Sequence, residues 1–246
     1  MNNKFKIIVA FYNVEKWIET TIKSVLGQSY DNYECILIND MSSDESSSIC
    51  HRLVGDNTKF KIIDNDIKKC SLENIHNAIH EHTDGQDIVV ILDGDDFLAN
   101  ADSLEHLNKV YNAEDCWVTY GSYMNLSNRL RGKFSKPIPQ EVIENNSFRQ
   151  HEWCTSHLRS FRSFLFKEIR QDSLQDKSNK FFDFAGDLAI MFPLLELAGH
   201  RSTYVDKILY IWNDLNELNE HKRDNSRQLL VESMIRRKER YDKYGG

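Results

Sequence analysis

Four short apolar runs divide the first 93 residues: "KIIVAF" at 6–11, "YECILIN" at 33–39, "KFKIID" at 59–64 and "DIVVILD" at 87–93. Between them lie segments with helical spacing. Ile18, Ile22, Val25 and Leu26 share one stripe within 15–27, and Leu72, Ile75 and Ile79 share another within 71–82. After the second run, Ser42 precedes Glu45 by three residues, the spacing of a capping box, which predicts a helix through Ile49 and Leu53. Strands as apolar as 88–92 are covered on both faces. Strand–helix units repeated with short loops predict an α/β fold with a mainly parallel central sheet flanked by helices and right-handed crossovers. Ligands of such sheets bind beyond the carboxyl ends of the strands.

That rule gives meaning to the stretch "DIVVILDGDDFLAN". Its apolar run ends in Asp93, Asp95 and Asp96 within four positions, with Gly94 allowing a tight turn. Asp40 also falls just after a strand, so both acidic loops belong on one rim of the sheet. Paired carboxylates on a short turn suit a hard divalent cation, Mg2+ or Mn2+, that keeps open positions for phosphate oxygens. A solvated turn leading into a helix near Asp102 is the plainer alternative. An EF-hand loop is excluded, because Phe97, Leu98 and Leu104 stand where it needs oxygen ligands and glycine.

Composition narrows the partners. With 246 residues, 40% of them hydrophobic, the chain is long enough for a sizeable core. A formal net charge of -7 argues against binding nucleic acid by phosphate neutralisation. Five cysteines without CxxC spacing suggest neither a zinc knuckle nor a redox pair, and their odd number suits reduced thiols. No run approaches the ~20 apolar residues of a spanning helix, so a soluble, cytoplasmic protein is expected.

The stretch "IIVAFYNVEKWIETTIKSVLGQSYDNYECILINDMSSDES", followed by "ILDGDDFL", resembles the nucleotide-sugar-dependent glycosyltransferases of family 2, which have the GT-A fold. The resemblance is strong over residues 5–125 and continues to about 215. It implies a GT-A domain over 1–215, with 1–100 as the nucleotide-sugar half and 101–215 as the acceptor half, and a helical extension, 216–246, packed on the domain.

Carried over by position, the resemblance implies that Ala10, Phe11, Tyr12 and Asn13 line the nucleotide pocket and that Asp40 meets the base. Asn74 lies near the donor, with Lys69 as a contact to nucleotide. Asp93 and Asp95 match the D-x-D motif, the first facing ribose or sugar and the second holding the metal; Asp96 braces the turn. In "FFDFAGDLAIMFPLLELAGH" the family's usual Glu-Asp pair reads Gly186-Asp187, and Asp187 matches the catalytic base. Asp187 as a mere helix cap is the alternative. His221 matches a histidine that completes the metal site in several related enzymes, next to Lys222 and Arg223.

Asp96, Trp153 and His157 are candidates for the sugar and acceptor pocket, since aromatic faces stack on sugars; a core role for Trp153 is the competing reading. Residues 126–150, with two of the three prolines, read as a loop able to close over substrate. Leu230, Met234 and Tyr241 suggest a tail helix, packed on the domain or against a second copy in a homo-oligomer rather than on a membrane.

Together these imply an inverting, metal-dependent glycosyltransferase using a UDP-sugar, UDP by family habit, and a glycan, lipid-linked or protein acceptor. Two alternatives stay open. A sugar-nucleotide nucleotidyltransferase would open with a Gly-rich phosphate loop, which "VAFYNVEKW" lacks; a non-catalytic nucleotide- or sugar-binding module would bind without turnover.

Overall fold

The structure, a computed structural model, describes residues 1–217, 222 and 224–245. Its centre is one eight-stranded sheet. The first half alternates β1 (Phe5–Phe11), α1 (Ile18–Leu26), β2 (Tyr33–Asn39), α2 (Ser46–Val54), β3 (Phe60–Asp64), α3 (Ser71–His82) and β4 (Ile88–Ile91). Then follow β5 (Phe97–Leu98), α4 (Ser103–Ala113), β6 (Val118–Asn125), α5 (Gln140–Glu144), β7 (Ser156–Arg162), α6 (Ser163–Lys167), α7 (Gly186–Ala198), β8 (Ser202–Trp212) and α8 (Asn225–Arg236).

The strand order is β3-β2-β1-β4-β7-β6-β8-β5. Strands β1 to β4 are parallel, and β1 lies between β2 and β4. Successive units therefore run outward from β1 to β3, and the chain then returns to the other side of β1 to form β4. This reversal opens a crevice beyond the carboxyl ends of β1 and β4. The parallel half ends there: β7 joins β4 antiparallel, and β6 pairs antiparallel with β7 and parallel with β8.

Alternation along β1 builds two cores. Ile7, Val9 and Phe11 pack with Ile18, Ile22 and Val25 of α1 and Leu104 and Leu107 of α4, whereas Ile8 packs with Leu72 and Ile75 of α3 and the apolar body of α7. Helix α7 is buried from Leu188 to Ala198. It is apolar all round because the sheet, α6 and α8 surround it.

Three local features depart from the sequence reading. The expected capping box does not form: Ser42 Oγ accepts from the Asn13 amide, and α2 starts at Ser46, whose amide donates to Asp44 Oδ1. Residues 126–150 are not all loop, because α5 lies within them and Ile138, Val142 and Phe148 are buried. Pro139 stands directly before α5, where a missing N–H costs nothing. On α8 the buried positions are Val231 and Ile235, one turn apart, while Leu230 is exposed.

The tail is fastened by a buried ion pair. Arg149 Nε and Nη2 donate to the two carboxylate oxygens of Glu196 in α7 at 2.6 and 2.9 Å, Arg149 Nη1 donates to the Ile235 carbonyl, and the Tyr241 amide donates to Glu196 Oε2. Both side chains are essentially inaccessible. Removing one partner strands a buried charge. Arg149→Met is expected to cost about 3–5 kcal/mol in urea denaturation, and Arg149→Met/Glu196→Leu to be more stable than either single variant. A double variant weaker than both would show that the pair itself, not its desolvated remnant, carries the stability.

Candidate active site

The loops after β1 and β4 meet in a cleft of about 690 Å³. Its walls include Phe11 and Tyr12 from the first loop, Asp93 to Asp96 from the second, Trp153, His157 and Arg159 from β7 and its approach, and Asp187 from α7. The close approach of the two loops requires Gly94, since a Cβ there would lie 2.4 Å from Phe11 Cβ. Thr21 Oγ1 of α1 donates to the Gly94 carbonyl at 2.9 Å and fixes the turn from below.

Each acidic residue of the turn has a different environment. Asp96 is 2% exposed and accepts from Tyr210 Oη and the Asn213 amide, both at 2.6 Å. Its oxygens are committed to β8 and the residues after it, so it braces the turn. Asp93 is half-buried and lies 3.3 Å from Tyr210 Oη. Asp95 accepts from Asn216 Nδ2 at 2.6 Å.

Burial pushes all three carboxyls above the usual carboxylate range. The Asp95 carboxyl is pushed up to about 6, with the Asn216 hydrogen bond opposing the rise and the charge of Asp93 adding to it. For Asp93, burial is opposed by Arg159 and reinforced by Asp187. Asp96 is raised furthest, by burial and then by the charges of Asp95 and Asp93. Carboxylates crowded in this way are relieved by a cation. The donor set fits a hard divalent ion, because Asp93 and Asp95 offer oxygens towards the cleft.

Asp93, Asp96 and His157 also bring one ligand atom each within 4.8 Å of one another. Asp96 has already spent its oxygens, however, and the His157 ring stacks on Tyr210 with centroids 4.1 Å apart. Burial, and then the charge of Arg159, hold that imidazole well below its ordinary pKa, so it is neutral.

Asp187 lies in the first turn of α7. The chain enters that helix through Ala185, a non-glycine residue in the left-handed region at φ 52°. Asp187 Oδ2 accepts from Arg159 Nη2 at 2.9 Å, and Oδ1 accepts from the Leu188 amide at 2.9 Å. Asp183 precedes α7 and pairs with Arg227 of α8. Trp153 is half-buried against Phe192, with ring centroids 5.3 Å apart, and keeps a place on the wall.

The remaining sequence candidates form a polar chain beside the first loop. Asp40, 5% exposed, receives the Lys69 amide at 2.8 Å and Asn65 Nδ2 at 3.1 Å; Asn65 Nδ2 also reaches Asn74 Oδ1 at 2.8 Å. Asn74 Nδ2 is buried without a partner. The Asp40 amide donates to the Phe11 carbonyl, which joins this chain to the cleft. Asn13, at φ 52°, accepts the Ser43 amide. His221 and Arg223 lie outside the described residues.

Sequence reasoning missed Lys68, Arg159, Tyr210 and Asn216. Lys68 Nζ sits 2.9 Å from the centroid of the Tyr12 ring. Arg159 had a usable signal, as a charge inside the otherwise buried strand "SHLRSFR". Tyr210 and Asn216 had none, because an aromatic in an apolar strand and an asparagine in a polar stretch are ordinary.

Fold and cleft define a GT-A-type architecture. The chain belongs to glycosyl transferase family 2, whose family model matches residues 6–170. It is 26% identical to the glycosyltransferase GlyA of Streptococcus pneumoniae over 70% of this chain and 26% of GlyA, and 28% identical to GlyG of the same organism over 51% and 40%. The chain thus spans less than half the length of these two relatives. Residues 1–349 of the S. aureus protein TarS, solved in complex with UDP-GlcNAc, superpose with a TM-score of 0.66 at 18% identity, covering 87% of this chain and 59% of that fragment. The Pyrobaculum calidifontis mannosyltransferase PcManGT, solved with GDP-Man and Mn2+, gives 0.58 at 15% identity over 90% and 59%. Among the described residues, no helix is long and apolar enough to cross a membrane.

Gly94→Ala forces the loops after β1 and β4 apart, at a cost of about 1–3 kcal/mol. Urea denaturation should show that loss of stability; unchanged stability would mean that the Phe11–Gly94 contact does not hold the two loops together.

Proposed function

We propose that this chain is an inverting glycosyltransferase that moves a sugar from a UDP-sugar to an acceptor hydroxyl, with Mn2+ or Mg2+ held by Asp95 and Asp93. The observation that carries the reading is the placement of Asp93, Asp95 and Asp187 on one cleft at the reversal point of the sheet. A bound divalent cation would supply positive charge against the diphosphate, which six carboxylates on the cleft wall otherwise repel.

The protein's own groups do the rest. Asp40 meets the base through its side chain, and Phe11 and Tyr12 frame the nucleotide, Tyr12 backed by Lys68. Lys69 and Asn74 complete that side. Asp187 accepts the proton of the acceptor hydroxyl while the acceptor oxygen bonds to the anomeric carbon and the bond from that carbon to the diphosphate oxygen breaks. Attack opposite the leaving group inverts the anomeric centre. Trp153 offers a face to a sugar ring, and His157, neutral and stacked on Tyr210, closes the floor. UDP is supported by the UDP-GlcNAc and UDP bound to TarS; the Mn2+ in PcManGT supports the metal. Five free cysteines suit a cytoplasmic setting.

UDP release from a panel of UDP-hexoses with Mn2+, with and without simple glycan acceptors, tests the proposal. Turnover abolished by EDTA is expected, and Asp187→Asn should lower it by about 10²–10⁴-fold with UDP binding retained. Wild type that binds UDP yet releases none from any donor would favour a binding module instead.

A further inference from the structure

Arg159 is the sole cationic side chain among the described residues that line the cleft, which it shares with Asp93, Asp95, Asp96, Asp183, Asp187 and Glu232. It stands on β7 opposite Ile91 in antiparallel register, so the backbone places it beside the strand end that delivers Asp93. It is 7% exposed. One nitrogen, Nη2, donates to Asp187 Oδ2 at 2.9 Å and lies 3.4 Å from His157 Nε2, while Nε is buried with no partner. A guanidinium buried with an unmet donor is unfavourable for the fold. Departures of this kind cluster where a contact serves function.

The contact it makes is with Asp187. That carboxylate is held at both oxygens: Oδ1 by the Leu188 amide of its own helix, and Oδ2 by Arg159 from the sheet. Each oxygen retains a second lone pair, so a proton can still be received. The Leu188 bond moves with α7; the Arg159 bond alone refers the carboxylate to the strand beside Asp93. We propose that Arg159 is a positioning residue that aims Asp187 at the acceptor hydroxyl and sets its distance from the acidic turn. The inference rests on reading Asp187 as the base. Lysine would keep the charge but not the planar, multi-donor geometry.

The test uses Arg159→Gly and Arg159→Lys, with guanidinium chloride added back to the glycine variant and urea as control. In crystals of Arg159→Gly the Asp187 carboxylate should leave its wild-type position, and soaked guanidinium should restore it. In the UDP-hexose release assay kcat should fall about 100-fold, the loss typical of a misplaced catalytic group, with the donor KM and the affinity for UDP with Mn2+ little changed. Guanidinium should recover kcat and urea should not, and Arg159→Lys should recover only part. An unmoved Asp187 in the crystals, or an undiminished kcat, would overturn the proposal. So would a loss confined to donor KM, which would make Arg159 a donor ligand. If wild type releases no UDP from any donor, the transferase reading fails, and the crystal arm still decides whether Arg159 positions Asp187.

Discussion

The hydrogen bonds from Tyr210 Oη and the Asn213 amide to buried Asp96 hold the two halves of this molecule in register. Asp96 ends the parallel half, and Tyr210 belongs to the long strand of the mixed half. A carboxylate this deeply buried is tolerated only when its oxygens are satisfied. That requirement fixes where the acidic turn lies. With Asp96 turned to β8, Asp93 and Asp95 are left to face the cleft, and Tyr210 also supports the His157 ring on the floor.

The cleft that results is electrostatically unfinished. Its described wall carries six carboxylates and one arginine. Burial and mutual repulsion raise the carboxyls of the turn, with Asp95 near 6. A diphosphate entering such a site would meet repulsion unless a cation came with it, so the acidity of the wall is the physical ground for the proposed metal. Arg159 moderates the same field from the sheet: it lowers Asp93 against the effect of burial and is hydrogen-bonded to Asp187.

Much of this was legible in the chain. Strands β1 to β4 announced themselves as apolar runs because both faces of the parallel half are covered, and Leu72, Ile75 and Ile79 marked α3 with the bounds observed. Asp93 and Asp95 stood out because carboxylates follow directly on a buried strand. The mixed half was less readable. Strand β5 has two residues, and β7, "SHLRSFR", carries apolar side chains only at Leu158 and Phe161, while most of its polar residues are buried against other parts of the fold rather than exposed to solvent. The start of α2 was misread because Ser42 serves Asn13 across the first loop, a tertiary contact with no local signature. Arg159, Tyr210 and Asn216 act through partners 28 to 121 residues away in sequence, beyond the reach of any spacing rule.

The central claim is that Asp93 and Asp95 recruit a divalent cation to hold a nucleoside diphosphate. Calorimetric binding of UDP to wild type and to Asp95→Ala, each with and without Mn2+, tests it most directly. The account predicts that wild type binds UDP tightly only with Mn2+ and that Asp95→Ala loses this dependence. UDP binding of equal strength with and without metal in wild type, or metal-dependent binding preserved in Asp95→Ala, would contradict it.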